Sequence, residues 1–187
     1  MSADAGRDLG YVREVVARSE RPPIAASILH LWAAISLVGF AVIDFAPQRA
    51  GLYWLVAGIT GFVLSSWLGA RHARATGQES RSAGTRQMLH WAGMGVAIFL
   101  LSFGAQGWGS SPQESSHAIL LIVALSYWLA GVHMVPPLKW LGVVAAAVYL
   151  ALALVEDFAY PWTAAGIVIA AGLVVAAHGR GAARAEG

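Results

Sequence analysis

Six stretches of nearly unbroken apolar residues alternate with short polar connections: 24–46, 51–70, 88–107, 117–135, 138–155 and 160–178. A helix needs about 20 such residues to cross a bilayer, with a range of about 17–25. All six runs meet that length, the fifth narrowly. Strands of a membrane barrel would alternate polar and apolar residues, which these runs do not. Inside lipid, a helix pairs each backbone group within its own segment. The pattern therefore predicts an all-α polytopic membrane protein with six transmembrane helices.

Two polar tails flank the runs. In residues 1–23, Leu9, Val12, Val15 and Val16 fall at helical spacing, with Arg13, Arg18 and Arg21 off that stripe. The spacing predicts a short amphipathic helix lying on the membrane surface. The first apolar run starts late and no small-residue cleavage site follows it, so no signal peptide is expected. Residues 179–187 form the second tail.

Short motifs recur along the runs. Leu29, His30, Leu31 and Trp32 stand early in the first run; Leu89, His90 and Trp91 open the third; Leu138, Lys139 and Trp140 open the fifth. Trp67 and His72 reappear 61 residues later as Trp128 and His133. Recurrence at a fixed period indicates a structural unit used several times. Here the unit is a helical hairpin, crossing in and out, three times over. Each unit crosses twice, so the three share one orientation, unlike inverted transporter repeats.

Charge orients the hairpins. Eleven of the twelve basic residues lie in the two tails, the connection after the second run and the turn after the fourth. Arg49 alone falls on the other side. The positive-inside rule then sets both termini in the cytoplasm. The indoles agree with such boundaries, with Trp54, Trp108 and Trp162 at the outer ends of their runs and Trp32, Trp67, Trp91, Trp128 and Trp140 toward the inner ends. Trp favours the headgroup level, its apolar body inward and its N–H toward water.

Composition narrows the function classes. Hydrophobic residues make up 58% of the chain and charged residues 12%, against about 25% charged in soluble domains. A net charge of +2 gives no field for nucleic acid. With no cysteine, disulfides, thiolate metal sites and cysteine nucleophiles are all absent. Arginine outnumbers lysine eleven to one, as in proteins of GC-rich bacteria. The expected location is the inner, cytoplasmic membrane.

Small residues mark expected helix contacts. Ala57, Gly61, Ser65 and Gly69 recur every fourth residue of the second run, Gly93 and Ala97 lie in the third, and Gly166, Ala170, Gly172 and Ala176 lie in the sixth. Such stripes let helices approach closely in lipid. Packing within the chain is the expected use, and the alternative is a homo-oligomer or protein partner.

The residues with chemistry are few. His30, His72, His90, His133 and His178 gather at the inner side, and His117 is outside. Three hairpins around a common axis would bring His30, His90 and His133 to one depth. Neutral imidazoles on facing helices hold a transition metal or serve as axial ligands to haem. Against this, no carboxylate sits at that depth, and packing or interhelical hydrogen bonding accounts for the same residues. Asp44, at the outer end of the first run, is the candidate functional acid. Its alternative is an end-of-helix carboxylate reaching water. Glu156 and Asp157 make the last outer turn acidic. No phosphate loop, nucleophile elbow or zinc-protease motif occurs.

The architecture resembles that of small six-span bacterial membrane proteins built from three hairpins, acid-resistance membrane proteins among them; no residue or activity carries over. The first expectation is a non-enzymatic accessory, sensory or stress-response component acting through lipid or partners. A small-solute or metal-ion transporter and a haem- or quinone-binding redox subunit are the alternatives.

Overall fold

The computed structural model describes residues 24–77, 81–107, 112–155 and 159–185. The interfacial helix expected in 1–23, Trp108, and the acidic pair Glu156 and Asp157 lie outside them. Six α-helices are present: α1 Ala26–Phe45, α2 Pro47–Thr76, α3 Arg81–Gly107, α4 Pro112–His133, α5 Pro137–Leu154 and α6 Pro161–Ala185. No strand occurs among the described residues.

Proline and glycine set the boundaries. Pro47 disfavours helical backbone at the residue before it, and Ala46 breaks out to φ −149°, ψ 60°. Pro47 then opens α2 at its first position, where its missing N–H costs nothing. Pro137 opens α5 in the same way. Helix α2 stops at Gly77, whose φ of 65° is left-handed backbone that suits glycine. The helices overrun the apolar runs where polar turns stay helical: α2 continues through Arg71 and Arg74, α3 begins seven residues before Met88, and α6 runs past residue 179 to Ala185.

Five segments are long and apolar enough to cross a membrane: α1, α2, Ser115–His133 of α4, α5, and Pro161–His178 of α6. Helix α3 is 27 residues long.

The packing is not organised hairpin by hairpin. The most extensive contacts join α1 to α6 and α4 to α5; α1–α2, α3–α4 and α5–α6 touch over less of their length. Following the contacts gives the order α2, α1, α6, α5, α4, α3. The core accordingly lies on the four middle helices, with Leu120, Leu138, Ile169 and Leu173 fully buried. Helix α1 contributes Leu29, Ala33, Ser36 and Phe40, spaced three or four apart on one face. Helix α2 buries only Gly61, and large apolar side chains such as Leu52, Ile59 and Val63 are exposed. In a bilayer these faces meet acyl chains.

Glycine sets the closest approaches. A β-carbon on Gly142 would collide with the backbone of Trp128, and one on Gly131 with the backbone of Lys139. This pair brings α4 and α5 nearly into backbone contact. The small stripe of α2 faces α1: Gly61 meets Ile35 and Trp32, and Gly69 faces Ile28. In α6, Gly166 faces Phe40 and Gly172 faces Leu141. Gly93 of α3 faces open space.

Candidate functional site

Helix α6 starts without a local cap. Its first residue is Pro161, and Tyr160, whose carbonyl accepts the N–H of Ala164 at 3.1 Å, occupies the capping position. A tyrosine there has no short side-chain oxygen to turn back on the helix, a task that suits Ser, Thr, Asp or Asn. Asp44 supplies the acceptor from α1. Its Oδ2 accepts the backbone N–H of Thr163 at 2.6 Å and the Thr163 hydroxyl at 2.6 Å, and its Oδ1 faces the Trp162 N–H at 3.4 Å. The carboxylate thus sits at the positive end of the α6 dipole.

Aromatic rings surround this junction. Phe40 stacks parallel to Trp162 at 6.2 Å and meets Trp54 edge-on at 5.6 Å. Phe45 stacks on Tyr160 at 5.1 Å. His117 of α4 meets Trp162 at 5.0 Å and Tyr149 of α5 at 6.1 Å, both edge-on. Rings from five helices thus gather around the Asp44 junction. A recess of about 450 Å³ opens beside His117, lined by Ala118, Leu121, Tyr149, Leu152 and Ala153.

Two of the histidines meet each other. His30 of α1 lies against His178 of α6, ring centroids 5.3 Å apart, and both are exposed. His178 Nδ1 is 2.9 Å from the Val174 carbonyl. A carbonyl only accepts, so Nδ1 donates this bond. His90, half-buried, donates from Nε2 to the Ser126 carbonyl of α4 at 3.0 Å. His133 is exposed. His30 is therefore partnered by His178, and His90 by α4. Among the described residues no three His, Asp or Glu side chains gather closely enough to hold a metal ion. His72 is half-buried, and its Nε2 is enclosed without a hydrogen-bond partner.

The indoles split by task. Trp67 and Trp140 are exposed and lie under the cations of Arg71 and Lys139, at 5.7 and 5.3 Å. These are cation–π pairs. Trp32 donates instead to Ser65 Oγ at 2.9 Å, across α1 and α2. Tyr53 makes a second bridge between the same helices, donating to the Ile35 carbonyl at 2.9 Å. Sequence reasoning missed both bridges, and the signal for Trp32 was its level with Ser65 of the small stripe.

Between α1 and α2 lies an apolar groove of about 640 Å³. Leu31, Ile35 and Val42 form one wall, and Val56 and Leu64 line the other; Arg49 stands at the end beside the α1–α2 turn. Comparison of the chain with protein-family models, curated proteins and solved structures found no match.

Proposed function

We propose that this chain is a non-enzymatic component of the cytoplasmic membrane, an accessory, sensory or stress-response protein that acts through lipid or protein partners. In this reading α3 is the sixth span and both termini face the cytoplasm. The observation that carries the proposal is the engagement of Asp44. It is the only carboxylate within the six apolar runs, and its oxygens are taken up by Trp162 and Thr163. Held in this way, the carboxylate serves to join α1 to α6, and that is the role this reading gives it. The Trp32–Ser65 and His90–Ser126 hydrogen bonds support the same reading, because they spend buried polar atoms on joining helices.

The test is a visible spectrum and elemental analysis of the purified chain, together with ion flux in proteoliposomes. The expected result is a colourless protein, no stoichiometric metal and flux at background. An absorption band lost in His30→Ala or His90→Ala would establish a redox subunit instead. Flux abolished by Asp44→Asn would establish a transporter.

A further inference from the structure

We infer that the α1–α2 groove is a binding site for one anionic phospholipid, with an acyl chain along the groove and the phosphate at Arg49. The inference rests on this helix pair crossing a bilayer and is independent of what the chain does there. A groove open to a bilayer does not stay empty, because acyl chains are as apolar as its walls. Filling alone selects nothing. Selection needs a fixed charge at the depth of the headgroup, and Arg49 provides one.

Arg49 has no side-chain partner among the described residues. The nearest carboxylate in sequence, Asp44, is engaged by α6. Arg49 stands on the first turn of α2, where the helix dipole adds positive potential of the same sign. The other described cations of this helix, Arg71 and Arg74, lie at its opposite end. A lipid with net negative charge therefore gains more at this corner than one whose own ammonium competes with the guanidinium.

The groove has the length for the tail. From Arg49 to Leu64 α2 rises about 22 Å at about 1.5 Å per residue. Half of a hydrocarbon core is about 15 Å, so the groove accompanies a chain through its whole leaflet. Ala57 and Gly61 keep its floor low. The Tyr53–Ile35 and Trp32–Ser65 hydrogen bonds hold the two helices at a fixed separation, so the groove exists before a lipid enters.

The test is native mass spectrometry of the delipidated full chain, titrated with phosphatidylglycerol or phosphatidylcholine. One phosphatidylglycerol should remain on each chain at a concentration at least about fivefold below that needed for phosphatidylcholine. Arg49→Gln should bring the two lipids level, Arg49→Lys should keep most of the preference, and Ala57→Phe should displace both. Helical circular dichroism checks that each variant is folded. Equal retention of the two lipids by the unaltered chain, or an unchanged preference in Arg49→Gln, would overturn the site. A lipid-free dimer that Ala57→Phe breaks would overturn it in favour of a second copy of the chain.

Discussion

Asp44 at the end of the first helix closes the beginning of the last, holding Thr163 by both its backbone N–H and its hydroxyl at 2.6 Å. The two residues are 119 positions apart. A helix cap is normally supplied by the residue before the helix. Here it comes from a neighbouring helix, so the same bonds fix the start of α6 and the α1–α6 contact.

Removing that carboxylate should destabilise the fold. Asp44→Ala should cost about 1–2 kcal/mol, the upper part of the range for a lost cap. Asp44→Asn keeps one acceptor oxygen for Thr163 but loses the charge–dipole part, about 0.3–1 kcal/mol, and the Oδ1 acceptor that faces the Trp162 N–H, so it should cost less than Asp44→Ala. Thermal unfolding in detergent, followed by circular dichroism, should rank the chains unaltered, Asn, Ala. An Ala variant as stable as the unaltered chain would show that the contact contributes nothing.

The α4–α5 approach should tolerate no side chain. Gly142→Val places a branched β-carbon in collision with the Trp128 backbone, and overpacking costs about 1–3 kcal/mol or more. Gly93→Ala is the control: nothing lies within 4 Å of the added methyl, and alanine favours helix over glycine by about 0.8–1 kcal/mol. The first variant should unfold at lower temperature, and the second at the same or a higher one.

The Trp32–Ser65 bond should appear as a coupling energy. Trp32→Phe and Ser65→Ala each remove it, and the double variant should cost less than the two single changes added. Polar contacts between membrane helices average about 0.6 kcal/mol, with a maximum near 1.7, so a coupling of about 0.5–1.5 kcal/mol is expected. Additive losses would mean that the two residues act separately.

The pairing of α1 with α6 can be trapped directly, because the chain contains no cysteine. The β-carbon of Phe40 is 2.8 Å from where a β-carbon on Gly166 would lie. Disulfide β-carbons stand about 3.5–4.5 Å apart, so parting the helices by about an ångström admits the bond. Phe40→Cys with Gly166→Cys should cross-link on mild oxidation, keeping the two halves together after cleavage at a protease site inserted between α2 and α3. Fragments that separate after oxidation would refute the pairing.

The helices themselves were legible because length and hydropathy are local properties, and the six apolar runs each fall largely within one helix. Pairing was less legible. The Leu-His-Trp echoes pointed to hairpins as units, yet α1 lies most extensively on α6, and nothing local to His30 names His178 as its neighbour. The small stripe of α2 was readable because its period fixes a face. The α4–α5 approach was not, since Gly131 and Gly142 are single glycines on different helices. Asp44 was recognised as unusual for its depth in an apolar run. Its partner was hidden 119 residues away, although an opening Pro161 with no capping residue before it was the available clue.

The order of the helices has a consequence during synthesis. A ribosome adding about 5–20 residues per second takes roughly 6–24 s to travel from Asp44 to Thr163. Throughout that interval the first helix is already made while its principal neighbour has yet to emerge, and its acid has no helix end to hold. A chain terminated before Pro161 would lose more than its final segment, because the earliest one would be left with a bare flank and an unanswered charge.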